Sequence, residues 1–147
     1  MSNRVLRVIF VCTGNSARSQ IAEALLTTIG TGRFYVASAG TAPQGVNPLT
    51  IRVLANHGID WSRATSKGIK RFVDEPWDYV ITVCDNAKQA CPIFPGEGER
   101  LHWGLEDPAA VTGDEAARLA AFEKTYEELR DRVQLLVSGS GLPTADR

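Results

Sequence analysis

The sequence predicts an α/β fold: a single domain with a four-stranded parallel sheet and helices on both faces. Three observations carry this. β-branched apolar runs alternate with stretches of helical periodicity, the pattern of a parallel sheet covered by helices. The runs are apolar at successive positions, as in strands buried on two faces. The 147 residues make about one domain, and 44 % of them are apolar, enough to fill a core.

The elements follow in order. Residues 5–12 (VLRVIFVC) read as the first strand, and 12–18 (CTGNSAR) as a break rich in small residues. A helix is expected over 19–29, where Ile21, Ala22, Leu25, Leu26 and Ile29 share one face, and Gly30 and Gly32 stop it. FYVASAG (34–40) is the second strand. A helix over 48–57 starts at Pro48, with Asn47 as cap and Gly58 as stop. A short helix is expected over 66–73, ended by Pro76. DYVITVC (78–84) and RLHWGL (100–105) are the third and fourth strands, with a loop at 92–99 between them. The last helix spans 114–138: Leu119, Phe122, Tyr126, Leu129, Val133 and Leu136 form its stripe, and Asp114 and Glu115 suit its N-terminus. The catalytic domain is therefore expected to be 1–138, with 139–147 a flexible tail.

Composition excludes several classes. With 16 basic and 17 acidic residues the net charge is -1, so no nucleic-acid partner is expected. No apolar run is long enough to cross a membrane. Arg7 interrupts the N-terminal apolar run and no small-residue cleavage site follows, so a buried strand is a better reading than a signal peptide. Three cysteines without a secretory signal point to reactive or buried thiols rather than a disulfide framework. A cytoplasmic monomer is expected.

Cys12 and Cys84 stand at the ends of predicted strands, where parallel sheets bind ligands. Cys12 and Arg18 bracket five residues between a strand and a helix. A loop there turns backbone N–H groups of Thr13, Gly14, Asn15, Ser16 and Ala17 toward a common centre, beside the positive end of the helix. The guanidinium of Arg18 matches a tetrahedral oxyanion in bidentate fashion. The same positive field favours a nucleophilic thiolate at Cys12, and Ser19 can add a hydrogen bond to the sulfur. A core thiol beside a surface arginine is the bland alternative for this spacing.

V-C-T-G-N-S-A-R-S-Q-I-A-E-A (11–24) resembles the active-site loop of the low-molecular-weight tyrosine phosphatase fold, and within it the thioredoxin-coupled arsenate reductases. The resemblance extends to Ser38-Ala39-Gly40, Cys84, Cys91-Pro92, His102-Trp103-Gly104 and Asp107-Pro108-Ala109. Phosphatases of the fold usually carry proline where this chain has Gln20, and tyrosines where it has Ala109 and Ala110. Both departures favour the reductase.

The resemblance implies that the Cys12 thiolate attacks loop-bound arsenate while Asp107 acts as general acid. Cys84 then attacks Cys12 and releases arsenite, and Cys91 attacks Cys84 to leave a Cys84–Cys91 disulfide for thioredoxin to reduce, with glutaredoxin the alternative reductant. Cys84 and Cys91 are seven residues apart, roughly 10.5 Å if the segment were helical, whereas a disulfide needs Cα atoms about 4.4–6.8 Å apart. A redox-switched segment is therefore expected over 85–99. Alone, Cys84 would read as a core thiol, Cys91 as incidental and Asp107-Pro108 as a turn.

Some family members bind potassium behind the loop. Asn15, Glu23 and Thr65 match that site, but Lys67 stands where an aspartate would complete it, so no metal is expected. His57 and His102 lack ligand-like spacing, a zinc site is not expected, and no cofactor is implied. Trp61, Trp77 and Trp103 read as core or rim aromatics. Two rival functions remain: a phosphatase of the same fold, and a thiol-based arsenite or redox sensor.

Overall fold

The computed structural model describes residues 5–85, 94 and 98–139. Its strands are β1 (Leu6–Cys12), β2 (Phe34–Gly40), β3 (Tyr79–Thr82) and β4 (Glu99–His102); its α-helices are α1 (Arg18–Ile29), α2 (Pro48–Asn56) and α3 (Glu115–Ser138). The sheet is parallel throughout, in the order β2-β1-β3-β4. The first strand is therefore interior, and the chain leaves it in one direction for β2 and later returns on its other side for β3. That reversal opens a crevice at the carboxyl end of β1, where Cys12 lies.

Val8, Ile9, Phe10 and Val11 are all fully buried, which explains the unbroken apolar run. Val8 and Phe10 face the larger core, shared with Leu25 of α1, Val53 of α2 and Leu129 of α3. Ile9 and Val11 face a smaller core with Phe72, Trp77 and Phe94. The helices on the two faces are unequal: all three α-helices share the first core, and a 3-10 turn at Ile69–Arg71 borders the second.

The helix expected over 66–73 is reduced to that turn. The backbone ahead of it is committed elsewhere: Gly40 N–H donates to Lys67 O at 2.8 Å, and Gly40 and Gly68 form an isolated bridge. A second 3-10 turn, Pro108–Ala110, is capped by Asp107, at the Asp-Pro pair that alone reads as a turn in the sequence. β3 and β4 are shorter than expected. Their flanks still continue the hydrogen-bonding pattern, with Val83 N–H donating to Val11 O and Trp103 N–H to Thr82 O. Cys91 and most of the expected redox-switched segment, together with the tail from residue 140, lie outside the described residues.

Candidate active site

The loop between β1 and α1 is held from outside by its carbonyl groups. Thr41, Ala42 and Gln44 N–H donate to the carbonyls of Cys12, Thr13 and Gly14 at 3.3, 2.9 and 3.0 Å. Ser16 O accepts from Asn47 N–H at 3.1 Å and from the Thr50 hydroxyl at 2.8 Å. With the carbonyls occupied on the outside, the N–H groups are left for the inside of the loop. Gly40 makes this close approach possible, since a Cβ there would stand 2.4 Å from Thr13 O.

α1 begins at this loop with Ala17 as N-cap; no side chain caps it and its first turn has no acidic residue. Its leading N–H groups and dipole are thus available to an anion. A cavity of about 80 Å³ is lined by the loop residues Cys12, Thr13, Gly14, Ser16 and Ala17, with Arg18, Gln44, Asp107 and Ala109 around them. Pockets for drug-sized ligands run to about 300–1,000 Å³, so this one suits a small inorganic ion.

Cys12 is buried to 2 % exposure, and its sulfur receives two polar contacts. Asn15 N–H donates to Sγ at 3.2 Å, and Ser19 Oγ lies 2.9 Å from it. Asn15 Nδ2 donates to Ser19 Oγ at 2.8 Å and to Ser38 Oγ at 2.9 Å. Ser19 thereby accepts from Asn15 and keeps its own proton for the sulfur. The Ser38 hydroxyl in turn donates to Glu23 Oε1 at 2.5 Å. Burial pushes the Glu23 carboxyl above its usual range, and the Lys67 ammonium and the hydrogen bond from Ser38 offset part of that.

Arg18 is 5 % exposed and donates through Nη1 to Leu105 O at 3.0 Å, which anchors the guanidinium across the cavity. Its Nη2 is 3.9 Å from Asp107 Oδ2. The other carboxylate oxygen of Asp107 accepts from Ala109 N–H at 3.0 Å, so the turn that follows fixes the acid at the cavity rim.

Of the residues expected at the site, Cys12, Thr13, Gly14, Ser16, Ala17, Arg18 and Asp107 meet at the cavity. Asn15 and Ser19 are fully buried behind it, hydrogen-bonded to the nucleophile. Cys84 is fully buried just after β3 and is in a disulfide, whereas Cys12 is free. Sequence reasoning missed Gln44, which no local pattern marks, and the contacts of Gln20 and Trp61.

The oxygens that would serve a potassium ion are already engaged. Lys67 Nζ donates to Thr65 O at 3.0 Å and approaches Glu23 Oε1 at 3.5 Å, while Asn15 Oδ1 accepts from Gln20 Nε2 and Lys67 N–H. An added cation would meet an ammonium there, so these residues do not fit one. Among the described residues no cluster of three or more His, Cys, Asp or Glu could hold a metal, and no helix is long and apolar enough to cross a membrane.

Residues 7–141 match the family described as low molecular weight phosphotyrosine protein phosphatase. The chain is 38 % identical to an arsenate reductase of Halalkalibacterium halodurans over 133 residues, covering 86 % of this chain and 91 % of that protein. It superposes on a solved arsenate reductase in the phosphate binding state with a TM-score of 0.77 and 32 % identity, covering 91 % of this chain and 98 % of the other. The Corynebacterium glutamicum thioredoxin-dependent arsenate reductase aligns with a TM-score of 0.63 and 31 % identity, over 92 % of this chain and 65 % of that one.

Proposed function

The chain belongs to the low molecular weight phosphotyrosine protein phosphatase family, and from that premise we propose that it reduces arsenate to arsenite. The observation that carries the reading is an oxyanion cavity built around the free Cys12, together with a second buried cysteine, Cys84, just after β3. A phosphatase needs only the first of these.

Arsenate is held by the loop N–H groups of Thr13, Gly14, Ser16 and Ala17 and by Arg18. The Cys12 thiolate, steadied by Asn15 N–H and the Ser19 hydroxyl, attacks arsenic and forms an S–As bond. An arsenate oxygen leaves as water, taking its proton from Asp107. Cys84 then attacks Cys12 Sγ. The S–As bond breaks with its electron pair passing to arsenic, which falls from As(V) to As(III), and arsenite departs from a Cys12–Cys84 disulfide. Cys91 attacks Cys84 Sγ, frees the Cys12 thiolate and leaves Cys84–Cys91 as the oxidised pair.

A dithiol reductant closes the cycle. The Corynebacterium glutamicum relative is named thioredoxin-dependent, which supports thioredoxin in that role. The reading carries with it a reducing, cytoplasmic setting and a single chain as the working unit. The test is arsenite production from arsenate with thioredoxin, thioredoxin reductase and NADPH. Sustained turnover is expected, lost in Cys12→Ser and stalled after one turnover in Cys91→Ser. Turnover only with glutathione and glutaredoxin would change the partner. Hydrolysis of p-nitrophenyl phosphate with no arsenite formed would move the assignment to a phosphatase, and arsenite binding without turnover would make the chain a sensor.

A further inference from the structure

Gln20 is fully buried in the first turn of α1, one residue beyond Ser19, and is not among the residues that line the cavity. Its amide is nevertheless tied to the loop at several points. Nε2 lies 2.9 Å from Asn15 Oδ1, 3.3 Å from Asn15 O and 3.0 Å from Thr65 O. Oε1 accepts the indole N–H of Trp61 at 2.8 Å. The chemistry leaves this amide one orientation. Its nitrogen faces three oxygens, and its oxygen faces an indole that can only donate.

Asn15 is what this arrangement holds. It has a φ of 47°, the single non-glycine residue in the left-handed region among those described. Such a conformation persists only where the surroundings enforce it. It lets the Asn15 N–H point to Cys12 Sγ while its carbonyl points away, to Gln20 and the Ser66 hydroxyl. The side chain is oriented by the same partner. Because Gln20 Nε2 and Lys67 N–H claim Asn15 Oδ1, Nδ2 must face Ser19 and Ser38, and only then does Ser19 have a proton free for the sulfur.

We propose that Gln20, oriented by the Trp61 indole, is a positioning residue for the nucleophile: the pair locks Asn15 so that both hydrogen bonds to Cys12 are made. The inference rests on Cys12 being the nucleophile and not on which oxyanion it attacks. Lys67 N–H remains on Asn15 Oδ1 when Gln20 is removed, so the loss should be partial.

The test uses the reduced full-length chain, with inorganic phosphate as the anion probe and iodoacetamide as the thiol probe. Mass spectrometry of peptides reads Cys12 separately from Cys84 and Cys91. Gln20→Met keeps much of the side-chain volume and removes the amide; Trp61→Phe keeps an aromatic ring and removes the indole donor. Gln20→Met should slow Cys12 alkylation and weaken phosphate binding by about tenfold each, the scale of one lost buried hydrogen bond. Trp61→Phe should do the same by a few-fold, and its effect should vanish in the double variant, because both substitutions act through one contact. Unchanged alkylation and phosphate affinity in Trp61→Phe and Gln20→Met would overturn the proposal. So would faster Cys12 alkylation with a lowered melting temperature, the signature of a loop that has merely loosened. If Gln20→Met fails to fold, Trp61→Phe decides by the same readings. Neither probe requires arsenate reduction, so a chain that failed to reduce arsenate would leave this result standing.

Discussion

The starts of α1 and α3 are built in opposite ways. α3 begins with Asp114 accepting from Ala117 N–H at 2.9 Å and has Glu115 in its first turn. α2 likewise has its Asn47 cap, at 2.8 Å from Leu49 N–H. α1 begins with Ala17, without a side-chain cap or an acidic residue. A cap is worth about 0.5–2 kcal/mol of helix stability, and the two helices that contribute no residue to the cavity lining have it. The helix that meets the cavity leaves its N–H groups and dipole to a ligand. The difference shows where the chain gives up local stability to hold a negative charge.

Four substitutions can break or sharpen that contrast. The largest effect is expected from Arg18→Lys, which keeps a positive charge but loses the planar fork and its tie to Leu105 O. Arsenate kcat/KM should fall by about a hundredfold in steady-state kinetics. Next is Ala17→Asp, which gives α1 the kind of cap that α3 has. Phosphate affinity should drop by about tenfold or more in calorimetric titration, because a carboxylate then occupies the wall of the anion cavity. If phosphate bound as before, the open helix start would not be an anion site.

Glu23→Gln probes the far end of the hydrogen-bonded chain behind Cys12. The folded state raises this carboxyl, so it holds the proton more tightly than the unfolded chain, whose value is near 4.5. Its contribution to stability is present below that pH, falls as the pH rises through the raised folded value, and stays lost above it. Glu23→Gln should flatten that part of the melting temperature against pH curve. The smallest change is expected from Asp114→Ala: about 1 kcal/mol less stability in urea unfolding, with arsenate turnover unchanged.

Much of this arrangement was legible because its signals are local. The stripe from Leu119 to Leu136 lies within one helix, and Cys12 and Arg18 are joined by a loop short enough to imply its own geometry. The loss of the helix at 66–73 was not legible, because distant partners decide it. Gly68 pairs with Gly40, and Lys67 N–H is used by Asn15, 52 positions away. Gln20 stood out as a departure from the phosphatases, yet its partner Trp61 lies 41 positions along the chain. Without the fold, that tryptophan reads as one more packing residue.

The close approach of Gly40 to Thr13 divides the cavity into a fixed part and an adjustable one. Any side chain at Gly40 would strike the loop backbone, and the loop's outward carbonyls are pinned by residues 41–50, so the cradle itself resists redesign. Gln44 and Ala109 belong to the lining too, but both are exposed residues outside the cradle. An engineer wishing to admit a bulkier oxyanion ester should vary those two positions and leave the glycine untouched.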